Sequence, residues 1–69
     1  MPKKREKLIV LREKLGLTQK EAAKNIGISR SFLTEIENGT KDPSYKTIIK
    51  FINFYGEEVK DIFFNHNVA

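Results

Sequence analysis

Four glycines, Gly16, Gly27, Gly39 and Gly56, divide the chain, and each follows a run of apolar residues spaced three and four apart. Glycine is favoured just past a helix end and disfavoured inside a helix, so this punctuation excludes long helices. No stretch alternates apolar and polar residues with the period of two that a half-buried strand requires. The spacing predicts five short helices. The first covers about Lys4 to Leu15 and turns Leu8, Leu11 and Leu15 inward. A second opens at Thr18, where Thr18-Gln19-Lys20-Glu21 has the form of a capping box, and buries Ala22, Ala23 and Ile26. The third takes Ser29 as its N-cap, buries Phe32 or Leu33 together with Ile36, and stops at Asn38-Gly39. A polar loop, Thr40-Lys41-Asp42-Pro43, leads to a fourth helix from about Ser44 to Tyr55, with Ile48, Ile49, Ile52 and Tyr55 as its stripe. A fifth, about Glu58 to Phe63, offers Val59, Ile62 and Phe63. The fold class is all-α, a five-helix bundle.

Size and chemistry narrow the function. A chain of 69 residues predicts one domain, 1–69, with 64–69 as a short tail. Without Cys there is no disulfide and no thiolate metal site, so helix packing or oligomerisation must supply the stability. His66 stands alone, which argues against a metal site; no nucleophile–base pair can be assembled, so the reading is of a non-enzyme with no cofactor and no small-molecule ligand. The apolar run Leu8-Ile9-Val10-Leu11 is too short for a signal segment or a membrane span, and a cytoplasmic location is the default expectation.

A formal charge of +4 and a pI near 9.5 point to a polyanionic partner. The charge is uneven. Residues 1–30 hold nine Lys/Arg and three Glu, whereas residues 31–69 hold four Lys and six acids. An anion-facing surface is therefore expected from the first half.

The informative stretch is about 19–38. Two short helices separated only by Gly27-Ile28-Ser29 must cross steeply. Ala23 is small where the helices pass, and Gly27 tolerates the left-handed backbone of a tight turn. On the later helix Arg30, Ser31, Thr34, Glu35 and Asn38 share the outward face. A polar helix face of this kind suits the DNA major groove, about 12 Å wide, where base edges present a readable pattern of donors and acceptors.

The sequence resembles the Cro and phage-repressor type (XRE-type) helix-turn-helix DNA-binding domains. Leu11-Arg12, Gly16-Leu17-Thr18-Gln19, Ala23, Ile26-Gly27-Ile28-Ser29, Ile36-Glu37-Asn38-Gly39, Pro43-Ser44 and Asp61-Ile62-Phe63 carry the resemblance, which covers roughly residues 5–63. It implies a lambda-repressor-like five-helix fold and sequence-specific binding of double-stranded DNA, usually as a repressor and as a homodimer on a two-fold operator. Two departures stand out. Ala22 occupies a position where the family commonly has Leu, leaving volume for Phe32 to fill, and Asp42 lies where relatives often carry a basic phosphate contact.

The resemblance assigns phosphate gripping and support of base contacts to Gln19, at a helix start where N–H groups favour anions, with ordinary helix-start surface as the plainer alternative. Ser29, at the start of the expected recognition helix, is counted among the DNA-binding residues. Arg30 is the foremost base reader, through guanine O6 and N7, with a phosphate clamp or surface ion pair as the plainer alternative. Ser31 and Thr34 either touch bases and phosphates or are solvated surface. Glu35 accepts from cytosine N4 or sits in a surface ion pair. Asn38 contacts the DNA backbone or merely ends its helix, and Lys41 and Lys46 are candidate phosphate contacts, with ordinary surface lysines as the plainer alternative. Lys3, Lys4, Arg5 and Lys7 form either a loose DNA-reaching arm or a frayed terminus. Val59, Phe64 and Val68 are candidates for a dimer surface, with Ile9 and Val10 as a second. The rival function is a protein-interaction module, such as an antitoxin-like partner; a small restriction-system controller protein would still bind DNA.

Overall fold

A computed structural model describes residues 3–64. It contains five α-helices in the order α1 (Glu6–Lys14), α2 (Gln19–Ile26), α3 (Arg30–Asn38), α4 (Tyr45–Tyr55) and α5 (Val59–Phe64). Local chemistry sets their starts. Thr18, Ser29 and Ser44 are the N-caps of α2, α3 and α4, and their hydroxyls accept from the N–H groups of Glu21, Phe32 and Thr47. Each cap satisfies one of the backbone donors a helix start leaves unpaired. At α2 the cap is reciprocal, because the Glu21 carboxylate accepts from the Thr18 N–H at 2.9 Å. No helix among the described residues is long and apolar enough to cross a membrane.

The helices close on one core. Helix α2 packs on α3 and α4, α1 on α3 and α5, and α4 on α5. Leu8, Ala22, Ala23, Ile26, Leu33, Ile36, Ile48, Phe51, Val59 and Phe63 are buried. Phe51 lies at the aromatic centre, 5.3 Å edge-on from Phe63 and stacked with Tyr55 at 6.2 Å. Such pairs add to the stabilisation that burial of the rings provides.

Two sequence expectations about the core change, and one about the dimer surface. Leu15 is 56% exposed, because α1 ends at Lys14 and the chain turns away; Leu17 packs on the core instead. On α4 the buried stripe includes Phe51 and leaves Ile49 exposed. That helix meets both α2 and α5, so its inner face is centred on Ile48, Phe51, Ile52 and Tyr55, spaced as one helical stripe. Val59 is fully buried beneath α5 and cannot line a dimer surface. Phe32, by contrast, packs against the edge of the core as the small Ala22 suggested.

Tyr55 has an alkaline signature. Its hydroxyl is buried and bonds to no described residue. Burial pushes its phenol up to about 12; the Glu37 carboxylate adds to the rise and Arg12 opposes it. A folded value above the ordinary one near 10 means the native state holds this proton longer than the unfolded chain does. The associated stability is complete below about pH 10 and is lost as the pH climbs towards 12. Urea unfolding across that window is expected to weaken with pH in the native sequence and to weaken less in Tyr55→Phe. Equal slopes for the two proteins would remove Tyr55 as the cause.

Candidate nucleic-acid interface

The turn between α2 and α3 is built from three residues. Gly27 has φ +97°, in the left-handed region, and its N–H and that of Ile28 both donate to the Ala23 carbonyl, at 2.9 and 3.0 Å. A side chain at that φ would be strained. Lys50 reaches across from α4 and donates from Nζ to the Gly27 carbonyl at 3.2 Å, which ties the turn to the body of the domain. Ala22 and Ala23 are both buried at the α2 side of the crossing. Helix α3 therefore projects from a fixed turn, with Leu33 and Ile36 beneath it and a polar face outward.

Arg30, Ser31 and Asn38 are exposed on that face, and Thr34 and Glu35 are partly exposed. Ser29 is exposed at the helix start, its oxygen engaged with the Phe32 N–H at 3.1 Å and its own proton still available to a neighbour. Lys41 and Lys46 are exposed after α3 and in the first turn of α4. Sequence periodicity thus brings the proposed reading residues to one side. Phe64, at the end of α5, is 50% exposed, and Val10 on α1 is exposed as well. Val68 and His66 lie outside the described residues.

Behind the polar face is a charged network that periodicity did not anticipate. Glu37 is 1% exposed and forms a two-point pair with Arg12, itself 13% exposed: Nε donates to Oε2 at 2.8 Å and Nη2 to Oε1 at 3.2 Å. Arg12 also donates to the Leu17 carbonyl at 3.0 Å. The hydrogen bond from Arg12 to Glu37 raises the guanidinium pKa further above its ordinary value, so the guanidinium keeps its charge. Gln19 then donates from Nε2 to Glu37 Oε1 at 2.9 Å. A carboxylate can only accept here, which fixes the orientation of the Gln19 amide and turns its oxygen towards Thr34. The Thr34 hydroxyl lies 3.0 Å from Gln19 Oε1 and 3.0 Å from the Arg30 carbonyl, and its single proton serves one of them at a time.

A chain of hydrogen bonds therefore runs from the buried Arg12–Glu37 pair through Gln19 to Thr34 on the outer face of α3. Gln19 keeps one amide proton and Thr34 its remaining lone pairs for an outside partner. Both orientations are set in advance by the network, which lowers the ordering an incoming ligand must impose.

Arg5 also departs from expectation. It is neither a loose arm nor a frayed end but 17% exposed, with its Nη1 donating to the Ile36 carbonyl at 2.7 Å and its Nη2 paired with Asp42. The acid in the α3–α4 loop is explained by this partner. Two cations of the basic first half, Arg5 and Arg12, are thus neutralised by acids of the second, and the exposed positive charge there resides on Lys3, Lys4, Lys7, Lys14, Lys20, Lys24 and Arg30.

Comparison with known proteins agrees with this geometry. The helix-turn-helix family model matches residues 8–62. An uncharacterized HTH-type transcriptional regulator of Methanocaldococcus jannaschii is 41% identical over 59 residues, covering 86% of this chain and 89% of that protein. A second, from Archaeoglobus fulgidus, is 32% identical over 59 residues, covering 86% and 83%. The HTH-type transcriptional regulator ImmR of Bacillus subtilis is 41% identical over 44 residues, which are 64% of this chain and 35% of that protein. No solved structure matches significantly. With its capped α2–turn–α3 unit, its outward polar face and a family match over most of its length, the chain belongs to the helix-turn-helix family.

Proposed function

We propose that the protein is a sequence-specific double-stranded DNA-binding transcription regulator, acting as a repressor and binding as a homodimer to a near-palindromic operator. The observation that carries the reading is the rigidly mounted, polar outer face of α3, on a chain whose relatives are named HTH-type transcriptional regulators. In this reading Arg30, Ser31, Thr34 and Glu35 face base edges in the major groove, and Arg30 pairs with guanine. Gln19, Ser29, Asn38, Lys41 and Lys46 contact the phosphate backbone and set the register without reading sequence. A two-fold dimer places two recognition helices about 34–36 Å apart on successive major grooves. Phe64 is the described residue of the expected dimer surface that remains outside the core.

Titration with random-sequence duplex at several salt concentrations tests the reading. Affinity is expected to fall with a log–log slope of about −0.9 per phosphate contacted. A flat response with negligible binding would favour the protein-interaction reading instead. Once a preferred site has been selected from a random pool, Arg30→Ala is expected to weaken binding to it by about 1–3 kcal/mol and to relax base preference at one position per half-site. Retention of both affinity and preference would take Arg30 out of the reading set.

A further inference from the structure

Arg5 holds three parts of the fold at once. Its backbone N–H donates to the Glu37 carbonyl at 2.8 Å, and its Nη1 donates to the carbonyls of Ile36 at 2.7 Å and Lys41 at 3.1 Å. Nη2 pairs with the Asp42 carboxylate, and the guanidinium carbon lies 5.5 Å from the ring centroid of Phe63 on α5. The last-turn carbonyls of a helix lack partners within it and carry its negative end, so a cation there is favoured twice over. The Glu35 carbonyl is filled from the other side, by the N–H groups of Thr40 and Lys41 at 3.0 and 3.3 Å. The end of α3 and the start of the α3–α4 loop thus form a single hydrogen-bonded unit with Arg5 at its centre.

We propose that Arg5 is a positioning residue for DNA binding: it fixes the loop backbone from which the exposed Lys41 side chain projects to a phosphate, without touching DNA itself. The inference rests on the DNA-binding reading above. Lys41 has its carbonyl held by Arg5 and its N–H held by Glu35, so both ends of its peptide environment are set before a ligand arrives. A loop already in its bound shape leaves less ordering to be done on association. The choice of Arg follows from geometry. A planar fork can serve two carbonyls and a carboxylate in different directions, whereas an ammonium group on a flexible stem cannot hold all three in place.

Arg5→Lys keeps the net charge, and with it the long-range attraction to DNA, while breaking the fork. The test is a double-mutant cycle on the full chain with Arg5→Lys, Lys41→Ala and the double variant, reading duplex affinity against salt. Lys41→Ala is expected to weaken binding several-fold and to reduce the salt slope by about 0.9, one phosphate contact. Arg5→Lys is expected to lose nearly as much, and adding Lys41→Ala to it to change affinity by less than about twofold. Amide exchange at Thr40–Asp42 is expected to accelerate in Arg5→Lys, a readout taken without DNA. Additive losses in the cycle, or an Arg5→Lys protein with native affinity and slope, would overturn the proposal. Should Arg5→Lys not fold, Asp42→Asn frees the exposed arm of the fork and takes its place in the cycle. Its charge change acts with and without Lys41, so the coupling is read rather than the single loss. Lys41→Ala is expected to cost less in that background than in the native one, equal costs overturning the proposal. Failure of the DNA-binding reading shows separately, as a native protein that binds no duplex.

Discussion

Glu37→Ala is expected to destabilise the domain by about 3–5 kcal/mol, because it leaves the Arg12 guanidinium enclosed without its counter-charge. Domains of this length have a total stability of about 3–10 kcal/mol, so the variant should be largely unfolded or close to it at room temperature. Urea unfolding followed by circular dichroism measures the loss. The companion variant Arg12→Met/Glu37→Leu separates two roles of the pair. Replacing both charges by apolar side chains of similar size is often neutral or stabilising, so its stability should return to near the native level. It also removes the carboxylate that Gln19 donates to, so the amide is no longer held and duplex binding should weaken even in a well-folded protein. A Glu37→Ala protein within about 1 kcal/mol of native stability would show that the pair is not the anchor described above.

Gly39→Ala is the second large effect. Gly39 has φ +80°, and a methyl group there would stand 2.0 Å from the Lys3 carbonyl oxygen, far inside contact distance. The left-handed backbone alone costs about 1–2 kcal/mol for a residue with a Cβ. Displacing the N-terminal segment also sacrifices hydrogen bonds from Arg5 to the end of α3, each worth about 1 kcal/mol, for a total near 3 kcal/mol. Gly16→Ala is the internal control. Gly16 has φ +71° with nothing within 4 Å of an added Cβ, so only the backbone penalty applies. Thermal unfolding of the two variants should differ accordingly, and equal losses would show that the segment over Gly39 contributes little.

Much of this architecture can be read from local chemistry. Thr18, Ser29 and Ser44 cap their helices because a hydroxyl two or three residues ahead of a periodic run has a backbone donor within reach wherever the rest of the chain lies. The outward set on α3 followed from helical spacing in the same way. A local pattern does not suffice where a neighbour in space decides. Leu15 and Leu17 are equivalent to a pattern, and only the turn at Gly16 selects between them; Phe51 and Ile49 exchange roles because α4 is covered on two sides.

The ion pairs are harder to read from the sequence, although Glu37 leaves a signal. It falls four residues after Leu33 and next to Ile36, inside the buried stripe of α3, while Arg12 falls four residues after Leu8 on α1. An acid in one core stripe and a base in another are a pair waiting to be matched. Counting them as surface charge inflated the apparent basicity of the first half. Arg5 gave no such hint, since its partners at 36, 41 and 42 are set only when the N-terminal segment lies against the end of α3.

The split of α3 into an inner and an outer face bears on how such a domain can diversify. Arg30, Ser31, Glu35 and Asn38 bury no apolar surface in the core and take no side-chain part in the charged network. Exchanging them should shift stability by no more than about 0.5 kcal/mol in either direction. New ligand preferences could therefore accumulate at these four positions without the compensating changes that marginal stability usually demands. Thr34 is the exception: through Gln19 it is wired to the interior, so a lineage that altered it would have to renegotiate the scaffold as well.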